Sequence, residues 1–462
     1  MLKKWIFRFF MVVFMALGGS SYGQTIVMRH YDTSAIRAKC RSLVMRQADR
    51  GYPFASVVAD SAVMSGRRVC VYCSTLLSQQ YRIEHVYIIG GAGVSPYYVY
   101  SVTGLAPGAV FSESRVKMAA RRVESGGAAV SARDAEVEFH PGGLADVYLY
   151  LEKRCANSVG AGIALNRDGY DGKYFITGNA LADLRNNFGH GERFYFAWRG
   201  YDRRSQMLDL QMRWPYVFNT PLTPDLGINI VRSDTTRLTI QMTARLGMAL
   251  SPDWEARAVM DVRRLVATID DDANDARTSL YGIAVNCRKN YSVDTHINID
   301  VSATGGTRRS SGGKGAAAEV ASVVESWLPI GTWARYEGIL TARQMYFASK
   351  PDIYECSPIG GVGSLRGFRD NELRATGLLS VNNTFRVLPA EGFSVQVFYD
   401  QAFYNCKALQ GNLHDSPCGF GAGVGLKTGA ISLDIGWAIG CERGKMRPLK
   451  DAKTLIITKL EF

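Results

Sequence analysis

Lys453-Thr-Leu-Ile-Ile-Thr-Lys-Leu-Glu-Phe462 is the stretch whose reading decides the fold. Side chains alternate faces along a strand, so Thr454, Ile456, Thr458, Leu460 and Phe462 share one side, and Leu455, Ile457, Lys459 and Glu461 the other. The first side leans apolar and the second carries the charges. A strand with hydrocarbon on one face and a lumen on the other needs that division. Reading back from this stretch, the same texture recurs in segments of roughly ten residues punctuated by turn residues. Sixteen are predicted, near 159–167, 172–185, 192–201, 204–214, 222–232, 236–246, 253–267, 278–287, 294–303, 316–328, 332–348, 376–388, 393–407, 418–428, 431–440 and 453–462. Beyond residue 24 no apolar run approaches the length of a spanning helix. If the chain enters a membrane, it does so as a closed barrel, the other fold that pairs every backbone N–H and C=O in hydrocarbon. Bacterial barrels have an even number of strands, and sixteen meets that rule.

The connections support the same reading. Ile269–Ala276, Ala303–Gly315, Ala348–Ala375 and Lys407–Pro417 are polar and often long. Pro215–Pro221, Pro329–Gly331, Pro389–Gly392 and Thr428-Gly429 are short and built on Pro or Gly. Long loops at one end and tight turns at the other are the habit of outer-membrane barrels, and a secreted β-sandwich offers no reason for it. Composition agrees: 47% hydrophobic and 21% charged residues exclude a disordered chain and a bundle of membrane helices. The formal charge of +12 suits an anionic surface without choosing between lipid head groups and nucleic acid.

Residues 1–23 read as a secretory signal peptide. Lys3, Lys4 and Arg8 form a basic start, Phe9–Leu17 an apolar run, and Ser21 and Gly23 place small residues before Gln24. The run is too short for a membrane anchor. Residues 24–154 read as mixed α/β. Ser34–Ala48 has helical spacing, with strands near Ala55–Ala59 and Arg68–Cys73. From Ile83 a strand, a short helix over Pro96–Leu105, a helix over Ser112–Glu124, and strands at Glu136–His140 and Val147–Glu152 give a β-α-α-β-β order.

The most specific motif is Gly360-Gly-Val-Gly-Ser-Leu-Arg-Gly-Phe368. A phosphate-cradling glycine loop should open a helix, and no helical pattern follows this one. Instead it resembles the (V/I/L)RGF signature of the outer-membrane assembly and translocation superfamily, the barrels of the BamA, TamA and two-partner-secretion type. Asn187–Glu192 (NFGHGE), Asn383–Pro389 (NTFRVLP) and Phe398-Tyr-Asp400 resemble further motifs of that superfamily, in the same order. The closing Phe462 resembles its terminal recognition signal. The resemblance covers nearly all of 83–462 and departs from the family at Thr384, where Glu is usual, and at Ala402, where Gly is usual.

The resemblance implies a transmembrane β-barrel over 155–462, a periplasmic POTRA domain over 83–154 and an abbreviated POTRA-like segment over 24–82. It implies that the loop bearing Leu365, Arg366, Gly367 and Phe368 folds inward, with Asp400 on the wall as the partner of Arg366. It places the protein in the outer membrane of a Gram-negative bacterium. Unfolded outer-membrane or secreted polypeptides would be its clients, in contact with outer-membrane lipids and accessory periplasmic proteins, with no nucleic acid. Pairing of the first and last strands would close the barrel. The glycines at Gly160 and Gly162, opposite the strand ending at Phe462, make that closure either a weak lateral seam or a relieved bend.

No catalytic constellation is present: the six His are scattered, and no enzyme activity, cofactor or metal is expected. Asp270-Asp271-Asp272 reads as a solvated loop run rather than a Ca²⁺ site. Cys70-Val-Tyr-Cys73 lies in an alternating run that points the two thiols to opposite sides, and Cys406 with Cys418 brackets a surface loop that a bridge could close. Three functions remain open: an assembly or translocation factor, a dedicated secretion pore for one exoprotein, and a solute channel on the same scaffold. Thr384 and Ala402 keep the last of these open.

Overall fold

The structure is a computed structural model that describes residues 22–28, 33–65, 68–154, 156–167, 174–200, 205–233, 237–251, 253–267, 275–290, 295–361, 363–449 and 452–462. Residues 1–21, which hold most of the expected signal peptide, and Asp270–Asp272 lie outside the described residues. The chain forms two compact units: one gathers residues up to Ala92 with Val99–Glu124 and Ala129–Lys153, and the other centres on Arg154–Phe462.

The first unit contains two sheets. β1 (Tyr22–Met28), β2 (Ser56–Ser65) and β3 (Arg68–Leu76) form one in the order β1-β3-β2, with α1 (Thr33–Ala48) packed through Ile36 and Leu43 on Val71 and Cys73. The other places β7 (Leu144–Lys153) beside β4 (Arg82–Ile89), in parallel, with β5 (Ala129–Ser131) and β6 (Glu136–His140) antiparallel to β7. A parallel pair needs a crossover, which α2 (Pro96–Thr103) and α3 (Glu113–Ser125) supply. Ile83, Leu105, Phe111, Val123, Leu149 and Leu151 fill the core.

Asp49, just past α1, joins the two halves of this unit. Its carboxylate accepts from Ser112 Oγ and Ser114 N, each at 2.8 Å, at the start of α3. Burial pushes that carboxyl up, but the hydrogen bonds from Ser114 and Ser112 outweigh it and hold it below the usual range. Asp146 behaves alike. Burial raises it, and bonds from the rings of His140 and His85, both at 3.2 Å, and from His85 N at 3.0 Å lower it further. An ionised carboxylate only accepts, so both ring nitrogens facing it carry protons.

The second unit is a closed antiparallel barrel of sixteen long strands. They are β8 (Ser158–Arg167), β9 (Tyr174–Arg185), β10 (Arg193–Gly200), β11 (Gln206–Arg213), β12 (Leu222–Ser233), β13 (Arg237–Ser251), β14 (Trp254–Ala267), β15 (Ala276–Asn290), β16 (His296–Ser310), β17 (Gly313–Ile330), β18 (Ala334–Phe347), β21 (Gly377–Ala390), β22 (Phe393–Ala408), β24 (Cys418–Thr428), β25 (Ile431–Glu442) and β27 (Lys453–Glu461). Two short pieces, β23 (Gly411–Asp415) and β26 (Lys445–Met446), extend hairpins, while β19 (Ser357–Ile359) and β20 (Leu373–Ala375) pair with each other outside the wall. Alternation divides the wall as the sequence requires. On β22, Val397, Tyr399 and Phe403 point out and are exposed, while Phe398, Asp400 and Ala402 point in and are buried. Thr454, Ile456, Thr458, Leu460 and Phe462 are exposed, and Ile457, Lys459 and Glu461 are half-buried on the other side. No helix among the described residues is long and apolar enough to cross a membrane.

One expected loop is corrected. Ala303–Gly315 is not a loop: β16 runs to Ser310 and β17 starts at Gly313, paired from Ser310↔Gly313 inward. The polar, Gly-rich composition hid a ladder, because its buried side is held by polar contacts, Arg308 on Glu355 and Ser349, rather than by apolar side chains. Most of Lys407–Pro417 is likewise a hairpin, with Ala408 opposite Gly411.

Candidate functional site

Between β18 and β21 the chain runs inward instead of turning back directly. Its base is the β19–β20 pair, held near the start by Arg308, whose guanidinium forks onto both carboxylate oxygens of Glu355 at 2.7 Å. Ser364 tightens the tip by accepting from Gly360 N at 2.7 Å, and its carbonyl accepts from Asn382 Nδ2 on the wall at 2.6 Å. Leu365 and Phe368 are buried with Ile359, Ala375 and Ala402. The methyl of Ala402, where the family has Gly, thus forms part of the apolar seat.

Arg366 is the polar centre. Asp400, fully buried on β22, accepts from its Nε at 2.8 Å, from its backbone N at 2.9 Å and from its Nη2. Nη1 donates to Thr384 Oγ1 at 2.9 Å and Nη2 to the Asn383 carbonyl at 3.2 Å. Four of the five guanidinium N–H groups therefore have acceptors, and the cation lies 3.9 Å from the centre of the Phe398 ring. Burying such a cation is tolerable only with this degree of satisfaction. Reading the sequence as a departure at Thr384 missed what that residue does, which is to offer a neutral acceptor. Phe398 was missed as a ring beneath the cation, and Arg447, 4.2 Å above the Phe368 ring, was missed as well. Thr384 and Phe398 sit inside motifs already singled out; Arg447 follows no motif.

Two glycines are fixed by space. Gly367 has φ +91°, and a Cβ there would meet the Ile439 carbonyl carbon at 2.5 Å. Gly419 on β24 lies against the Arg366 carbonyl. Gly421, Gly423 and Gly425 follow on the same inward side, where Phe398, Gln396 and Ser394 lean across them. The early NFGHGE turn is also built around one acid. Glu192, fully buried, accepts from Phe188 N at 2.7 Å and His190 N at 3.0 Å, and Asn186 Oδ1 accepts from Gly191 N at 2.9 Å.

At the closure, β27 meets β8 only from Glu461↔Ser158 to Thr458↔Ala161, whereas β8 pairs with β9 along its whole length, from Ser158↔Asp183 to Arg167↔Tyr174. Gly160 sits within the paired part, where a Cβ would meet the Thr458 carbonyl at 2.6 Å. Gly162 lies just past it and faces Asn179. Phe462 exchanges backbone hydrogen bonds with Asn157 at 2.9 and 3.2 Å. The suggested bridge between Cys406 and Cys418 is corrected by the register. Cys406 Sγ lies 3.7 Å from Cys356 Sγ, and Cys418 stands opposite Cys441.

No family model matches the sequence, and no curated protein does. Solved structures are similar. CdiB from Acinetobacter baumannii matches at 13% identity and a TM-score of 0.63 over 93% of this chain and 82% of that one. CdiB from Escherichia coli matches at 13% identity and a TM-score of 0.61 over 94% and 85%. BamA from Haemophilus ducreyi lacking POTRA domains 1–3 matches at 12% identity and a TM-score of 0.45 over 94% of each chain. The closed barrel of sixteen strands is thus the fold that this chain shares with the CdiB proteins.

Proposed function

We propose that this protein moves polypeptides into or across the bacterial outer membrane. The observation that carries the reading is the inward segment pinned inside a closed barrel by Arg366 on Asp400, Thr384 and the Asn383 carbonyl. Such a segment obstructs the lumen while its lock holds and becomes a movable part when it releases. Leu365, Gly367 and Phe368 seat it, and Asp400 is its anchor. The first unit serves as a periplasmic POTRA-type receptor, with 24–82 as an abbreviated repeat ahead of 83–154. β4 borders β7 on one side and, at Arg82 and Ile83, the 108–110 segment on the other, so the edge from Glu84 to Ile89 is the part that would take an extended client strand by β-augmentation.

Two routes are consistent with this geometry. The short β8–β27 pairing, with Gly160 and Gly162, favours lateral passage of client strands into the bilayer. The likeness to CdiB favours a dedicated pore for one exported protein. Depletion followed by quantitative proteomics of the outer membrane and medium separates them. Loss of many barrel proteins supports insertion, and loss of one secreted protein supports the dedicated pore. An unchanged proteome overturns both and leaves a solute channel.

A further inference from the structure

The ion pair is not the only tie between the inward segment and the wall. Asp400, Ala402 and Cys406 lie on one face of β22, all buried, so this strand offers a carboxylate to the tip of the segment and a thiol to its base. Cys356, immediately before β19, meets that thiol with its sulfur 3.7 Å away, in an apolar nest completed by Ala408 and Ile353. The backbone around Cys356 is held: Asp352 and Glu355 form a reciprocal capping box, and Glu355 is forked by Arg308. Two thiols fixed within van der Waals contact need only small torsional changes to reach bonding distance. Two further pairs of cysteines stand close, Cys40 Sγ 4.0 Å from Cys73 Sγ and Cys418 opposite Cys441.

We propose that Cys356 and Cys406 are joined by a disulfide that rivets the base of the inward segment to the wall strand carrying Asp400. The bond forms at the expense of the disulfide of a periplasmic thiol oxidase. One S–S bond breaks and one forms through a mixed disulfide, the two cysteine thiols give up two electrons and two protons, and the oxidase leaves as a dithiol. With the base riveted, release of Arg366 swings the tip without letting the whole segment leave the lumen. The inference rests on the outer-membrane placement proposed above, because that compartment supplies the oxidant.

The test uses the full-length chain from fractionated envelopes, quenched in acid, unfolded in the presence of N-ethylmaleimide and digested without reductant. The expected result is a peptide pair linking Cys356 to Cys406 that dithiothreitol separates, with Cys287 alkylated as the internal control. Cys406→Ala should leave Cys356 alkylated. Protein recovered from the outer-membrane fraction with both Cys356 and Cys406 alkylated overturns the disulfide while leaving the transport reading standing. Recovery of the chain outside that fraction instead removes the premise, and fractionation reports this separately from the peptide map.

Discussion

Arg366 concentrates the energetics of the site in one side chain. Its partners are already desolvated, so Arg366→Ala leaves Asp400 charged in a buried position and Asp400→Ala leaves the guanidinium without its anion. Each is expected to cost about 3–5 kcal/mol locally, measurable as a lower unfolding temperature in detergent and as new protease cleavage between Gly360 and Phe368. A charge-conserving Arg366→Lys should rescue little, since an ammonium cannot engage Asp400, Thr384 and the Asn383 carbonyl together. In the first unit, Asp146 makes a pH prediction. Its carboxyl is held below the usual range, so its stabilising contribution is fully present above about pH 4 and is lost as pH falls through the depressed folded value. Hydrogen exchange of β7 amides should accelerate across that acid range in the wild type. In Asp146→Asn the dependence should flatten; an unchanged profile would count against the assignment.

At the level of elements, β24 and the β8–β27 seam are the informative pieces. Gly419, Gly421, Gly423 and Gly425 present a bare inward side, against which the Arg366 carbonyl, Phe398, Gln396 and Ser394 lie closely. Alanine substitutions along β24 should therefore alternate in effect, impairing folding at these four positions and sparing outward Phe420 and Leu426; deep mutational scanning of barrel assembly reads this directly. Across the seam, a disulfide between Ala161→Cys and Thr458→Cys joins register partners. If clients leave laterally, the locked protein should stay folded but lose insertion until reductant is added. Full activity in the locked form would exclude lateral passage. All sixteen long strands were legible in the sequence, because a closed wall with different outer and inner surroundings imposes a period of two on its strands. The extended β16–β17 hairpin was not, because neither face carries large apolar side chains: Thr304, Gly306 and Arg308 on one side and Gly305, Thr307 and Arg309 on the other leave no apolar alternation to read. β1 was hidden for another reason: its first residues, Tyr22 and Gly23, were counted with the signal peptide. Of the site, alternation gave only the strand over 393–407, and the resemblance pointed to Asp400 on it and to Arg366 as its partner. Nothing in local spacing announces a contact 34 residues apart.

Across the whole molecule, all neighbours in the barrel wall but one are joined by a hairpin or a single connection, while β8 and β27 meet from opposite ends of the barrel sequence. Loop-closure entropy makes that pairing the costliest to reach, and it is also the shortest ladder between any two of the sixteen long strands. In pulse-labelling during refolding into detergent, amides of Ser158–Ala161 should gain protection after those of β15 and β16; simultaneous protection would contradict this order. For a time, then, the nascent cylinder is a curled sheet with two raw margins. A strand-shaped visitor arriving in that interval competes with the protein's own final strand for the same row of amides. Under the proposed transport role, the timing of self-completion and the handling of foreign chains are one kinetic problem, decided at Ser158–Ala161.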